Sequence, residues 1–66
     1  MTDIQHLYRI HYRRRSDGRR AAAYVHASDL QDALDQLYAT EPELGEYLGY
    51  AVFYAWRREW QEWQPA

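Results

Sequence analysis

Arg13, Arg14, Arg15, Arg19 and Arg20 crowd around Asp17-Gly18 in the stretch RRRSDGRRAAA, with Arg9 a little upstream. Guanidinium groups suit two-pronged recognition of carboxylates and phosphates. The cluster therefore has three readings. It is a solvated strand edge whose charge discourages unwanted pairing, a docking patch for an acidic protein, or a grip on a phosphate backbone, where cations supply most of the affinity. Tyr24, with His11 and His26 close by, adds rings on which bases stack. A second group of binding-type residues closes the chain. Tyr47, Tyr50, Phe53, Tyr54, Trp56, Trp60 and Trp63 lie close together, and Trp56-Arg57-Arg58-Glu59-Trp60 mixes the residue types that dominate binding hot spots.

Other constellations carry less chemistry. His11 and His26 make at most part of a zinc site, and no third protein ligand is evident unless the acidic tail supplies one. Asp29, Asp32 and Asp35 are spaced by three, as on the solvent side of a helix, and the helix dipole alone accounts for Asp29. There is no Ser/His/Asp set, glycine-rich phosphate loop or CxxC. A chain of 66 residues has little volume for a pocket of several hundred Å³. Neither catalysis nor a metal or other cofactor is expected.

Composition bounds the rest. One domain, 1–66, is expected, ending in an aromatic tail, 57–66. So short a chain buries only about 60% of its unfolded surface and reaches roughly 3–5 kcal/mol of net stability. Without cysteine, no disulfide adds to that. The net charge of −2 is unevenly placed: residues 1–26 hold six Arg against two Asp, and residues 27–66 hold two Arg against eight acids. That balance disfavours a general nucleic-acid binder, for which a strongly basic domain is expected. No signal-peptide pattern and no long apolar run is visible, so a cytoplasmic protein without membrane contact is expected.

The elements that must position these residues follow from patterning. Asp17-Gly18 suggests a two-residue type I′ turn, joining strands at 4–14 and 20–27. Tyr12 then faces Ala23, Ile10 faces Val25 and Tyr8 faces Ala27 on one side. Arg13 faces Ala22, His11 faces Tyr24 and Arg9 faces His26 on the other, leaving His11 and His26 as diagonal neighbours. Ser28 with Gln31 reads as a capping box. Leu30, Ala33, Leu34, Leu37 and Tyr38 follow as one apolar stripe of a helix over 29–39. Gly45 and Gly49 bracket what reads as a connection, and 40–43 reads as a loop or a further short turn. GYAVFYAW, 49–56, reads as a third strand. The expected fold is therefore α+β, in the order ββαβ, with an antiparallel sheet of order 2-1-3 and the helix on one face. A hairpin followed by two helices is the alternative. Trp56, Trp60 and Trp63 have helical spacing, so the tail is either strand or helix. Its tryptophans either cover the open sheet face or serve as a contact surface.

The hairpin LYRIHYRRRSDGRRAAAYVHA, the capped helix SDLQDALDQLY and the aromatic strand together resemble, in format, small α+β accessory proteins of phages and mobile elements, including anti-CRISPR and other host-inhibiting proteins. That resemblance implies a protein that binds a host macromolecule or complex and blocks it without catalysis. The expected contact residues are Arg9, Arg13, Arg14, Arg15, Arg19, Arg20, Tyr24, Trp56, Arg57, Trp60 and Trp63, meeting an acidic protein surface. A homodimer is also expected from the small size. A nucleic-acid-binding module using the Arg, Tyr and His face of the hairpin is the alternative, and a structural subunit of a larger assembly is a third reading.

Overall fold

The computed structural model describes residues 5–61 and 63–65; the expected strand start at Ile4, and Glu62 and Ala66 of the tail, lie outside them. Two long strands, β1 (His6–Arg14) and β2 (Arg20–Ala27), precede one helix, α1 (Leu30–Thr40). A third long strand, β3 (Leu44–Tyr54), and two short ones, β4 (Glu59–Trp60) and β5 (Gln64–Pro65), follow. The sheet order is β2-β1-β3-β4, every pairing is antiparallel, and β5 also pairs with β3. The α+β class, the single helix and the β2-β1-β3 order match expectation, and the tail adds strands beyond it. Among the described residues no helix is long and apolar enough to cross a membrane.

The first hairpin forms with its faces as expected but in a different register. Tyr8 pairs with Val25, Ile10 with Ala23 and Tyr12 with Ala21, while Leu7 pairs with His26, Arg9 with Tyr24 and His11 with Ala22. The turn explains the slide. Its loop is 15–18, closed by Arg14 N–H to the Arg19 carbonyl at 2.8 Å and Gly18 N–H to the Arg14 carbonyl at 2.9 Å. Gly18 takes φ +69°, but Asp17 does not enter the positive-φ region that a type I′ turn requires. Its carboxylate accepts the Arg19 N–H at 2.9 Å instead. A slide of two residues preserves every side chain's face, because strand side chains alternate with period 2. His11 and His26 are consequently further apart along the ladder than expected.

On the helix side of the sheet, Tyr8, Ile10, Tyr12 and Ala27 meet Ala33, Leu37, Leu44 and Val52 in the core. Ile10 is the largest side chain fully removed from water, worth about 1.5–3 kcal/mol. Burial raises the phenol pKa values of Tyr8, Tyr12 and Tyr47 above the ordinary value. The helix begins one residue later than Ser28 would dictate. Asp29 is the N-cap, accepting the Asp32 N–H at 2.8 Å, and Asp32 reaches back to the Ser28 N–H at 3.1 Å. Gln31 bonds Asp35 rather than closing a box with Ser28. The apolar stripe is narrower than its spacing suggests, since Tyr38 is 62% exposed. The helix packs mainly over β2, the edge strand, so there is less sheet beneath it than a central position would provide.

The expected connection at 45–49 is instead the first half of β3. Against β1 the pairing slips between His11 and Tyr12 and again between Tyr12 and Arg14. Both slips are bulges, and Gly49 sits at the first with φ +147°. A glycine inside a strand often marks such a bulge, which bends the strand without ending it. A turn at 55–58 then reverses the chain. It repeats the first loop's geometry, with Arg58 N–H bonded to the Tyr54 carbonyl at 2.9 Å and Arg58 at φ +55°. Among its described residues the tail is therefore turn and short strand, not helix.

Candidate functional site

The sheet face turned away from α1 is where the binding-type residues gather. The alternation of β1, β2 and β3 directs Leu7, Arg9 and His11, then Ala22, Tyr24 and His26, then Gly49, Ala51 and Phe53 to that side. Phe53 lies opposite Trp60, and Gly49 lies opposite Pro65. These two pairings differ in register by one residue. Trp60 and Trp63, three apart, thus both come to this face, which an unbroken strand would not allow.

Each tryptophan covers a different patch. Trp60 packs on Phe53 with ring centres 5.3 Å apart, and its ring lies 4.6 Å from the Arg9 guanidinium on β1. It comes within 6.1 Å of the Tyr24 ring on β2. An indole on the outermost strand therefore reaches across β3 and β1. Trp63 meets the His11 ring edge-on at 4.5 Å and lies directly over Gly49. Ala51 is buried on this side too, although no helix covers it. The aromatic tail is thus a partial second layer. Trp60 remains 37% exposed and Tyr24 60%, so the cover is itself open to solvent at these two rings.

Two polar atoms under this cover, Arg9 Nε and His11 Nε2, lack a hydrogen-bond partner among the described residues. Arg9 is partly compensated by the indole face, since a ring quadrupole attracts a guanidinium. His11 is held neutral: burial lowers its pKa below the ordinary imidazole value, and the positive charges of Arg9 and Arg20 add to that.

The arginines of the first loop divide into two groups. Arg13, Arg14 and Arg15 are engaged within the chain. Arg13 lies 3.6 Å from Glu46 and donates to the Gly18 carbonyl. Arg14 lies 3.5 Å from Glu43 and 3.7 Å from Asp17. Arg15 Nε donates to the Leu44 carbonyl at 2.8 Å, and its N–H to the Glu43 carbonyl at 3.1 Å. The Ser16 hydroxyl bonds Glu43 at 2.5 Å. That bond, the Ser16 N–H and Arg14 lower the Glu43 carboxyl pKa, against a smaller opposing effect of burial. This junction clamps the hairpin tip to the start of β3. Its ion pairs are open to water and individually weak. Arg19 and Arg20 belong to the second group: both are exposed, and their side chains find no partner among the described residues.

Trp56 and Arg57 stand apart at the second loop. Trp56 is 74% exposed, 5.9 Å from Tyr54, and Arg57 lies over its ring while pairing with Glu59 at 2.7 Å. The structure therefore brings together Arg9, Tyr24, Trp60 and Trp63, with Arg20 on the same face by alternation. It separates them from the clamp of Arg13, Arg14 and Arg15 and from Trp56 and Arg57. Residue types alone did not single out Glu43 and Glu46. The available signal was the acid-rich stretch after the helix, opposite in sign to the loop it meets. Among the described residues there is no pocket and no group of three or more metal-type ligands. Compared with family models, curated proteins and solved structures, the chain shows no match.

Proposed function

We propose that this chain is a small non-catalytic regulator or inhibitor that acts by occupying the surface of another protein, in the manner of phage or mobile-element accessory proteins. The supporting observation is the open aromatic and cationic cluster of Arg9, Tyr24 and Trp60 beside Arg20. Aromatic rings already held by one another lose little freedom on binding, and an arginine stacked on indole arrives desolvated on one side. Both properties favour hot-spot behaviour. Arg19 and Arg20, lacking internal counter-ions among the described residues, suit an acidic rim on the partner. Trp56 and Arg57 on the second loop form a separate, smaller contact.

The test is co-purification of the tagged full chain from its native cell, beside the variants Trp60→Ala and Arg20→Glu. One protein retained by the parent chain and lost by both folded variants is the expected result. Equal retention by all three refutes the assignment of the surface. Binding of generic DNA or RNA at low salt, weakening by roughly 0.7–0.9 log units per log unit of salt for each phosphate neutralised, replaces this function with nucleic-acid binding.

A further inference from the structure

Strand β2 is an edge of the sheet, and its main chain shows which groups are open. Arg14 N–H donates to the Arg19 carbonyl, so residues 19, 21, 23, 25 and 27 direct their main-chain groups toward β1. Arg20, Ala22, Tyr24 and His26 then direct theirs outward. The His26 carbonyl is already covered by the Gln36 side chain at 3.0 Å. What remains is a short run of donors and acceptors, at Arg20, Ala22 and Tyr24, unpaired among the described residues. Natural proteins blunt such an edge with charge, proline or a bulge; β2 carries charge only at its Arg20 end and has neither proline nor bulge up to His26.

We infer that a second copy of this chain pairs with β2, antiparallel, about a two-fold axis at Ala22. Three observations select this occupant and this register. First, placing Ala22 opposite its own equivalent sets Arg20 opposite the second copy's Tyr24, so all three open residues exchange both main-chain bonds. The covered His26 carbonyl is not needed. Second, the side chains at the axis are Ala21, Ala22 and Ala23, small on both faces, so two sheets approach without collision. Arg20, whose side chain finds no partner among the described residues, meets an exposed tyrosine ring in place of a like charge. Sliding the register by one open residue would instead set Arg20 opposite His26. Third, the edge is electrically asymmetric. Arg19 and Arg20 stand at one end. At the other, Asp32 lies about one helical turn before Gln36, whose side chain reaches the edge, and the N-cap Asp29 stands beside it. Antiparallel pairing brings each copy's basic end to the other's acidic end, and Arg19 falls on the helix side by alternation. The result is one continuous sheet with both helices on the same face.

This pairing uses Arg19, Arg20 and Tyr24, which the surface proposed above also uses; the Ala22 variants leave all three in place and so test it separately. The full chain should sediment at 8.0 kDa when dilute and approach twice that mass when concentrated. Ala22→Lys places like charges opposite each other at the axis and should hold the chain monomeric with an unchanged circular dichroism spectrum. Ala22→Glu should do the same, and mixing the two variants should restore a species of twice the mass. Ala22→Pro, which removes an outward N–H that the pairing needs and is tolerated on an edge strand, should also hold the chain monomeric. A parent chain that stays at 8.0 kDa at every concentration overturns the inference and leaves the edge to an extended segment of another protein. A dimer that survives Ala22→Lys, or variants that fail to restore it on mixing, overturns the register.

Discussion

Gly49→Ala tests whether the tryptophan cover contributes to stability or only lies on the surface. Gly49 has φ +147°, and a Cβ there would stand 2.6 Å from the Gln64 carbonyl oxygen and 2.6 Å from Cζ2 and Cη2 of Trp63. A non-glycine residue in that backbone region costs about 1–3 kcal/mol. Ordinary carbon contacts lie at about 3.5–4.0 Å, so the indole and β5 must lift by about 1 Å and lose part of their packing. Together these effects amount to about 2–4 kcal/mol, most of the roughly 3–5 kcal/mol expected for a chain this small. Gly18→Ala is the control: φ is +69°, nothing lies within 4 Å, and only the backbone cost of about 1–2 kcal/mol applies. In urea denaturation with a slope near 1 kcal/mol/M, the central costs of about 3 and about 1.5 kcal/mol put the Gly49→Ala midpoint ~1.5 M below that of Gly18→Ala. In a Trp63→Ala background the extra cost of Gly49→Ala should shrink. Equal shifts for the two glycine variants, or strict additivity with Trp63→Ala, would show that Trp63 does not rest on the sheet as described.

Arg58→Gly should stabilise the fold. Relief of a left-handed residue, about 1–2 kcal/mol, exceeds the extra chain entropy of glycine, about 0.5–1 kcal/mol, and Arg58 has no side-chain partner among the described residues to lose. A melting temperature unchanged or lowered contradicts the proposed loop geometry. His11 makes stability depend on pH in a defined direction. Its folded pKa is depressed, so its contribution is complete above the unfolded value near 6.5 and is lost as pH falls through the folded value. His11→Gln should flatten that part of the stability profile, measured by denaturation at a series of pH values. An identical slope in the variant rules out the buried neutral imidazole.

What the sequence by itself determined is the assignment of faces. Period-2 alternation from Tyr8 to Tyr12 and from Ala21 to Ala27 separates apolar from charged side chains without reference to any distant residue. The 3.6-residue period from Leu30 to Leu37 does the same for the helix. The density of Tyr, Val and Phe after Gly49 marks the third strand, for which a helix would have been apolar on every side. Tertiary structure alone decided register, the tail and the use of the arginines. A slide of two residues changes every partner in the first hairpin yet no face, so patterning cannot detect it. Trp60 and Trp63 share a side whether the backbone is helical or is extended with a one-residue shift in pairing. Arg13, Arg14 and Arg15 read as an open patch until β3 brings Glu43 and Glu46 beside them, and that meeting depends on the long-range pairing of β1 with β3. Local periodicity specifies which way a side chain points; only the assembled chain specifies what it meets there.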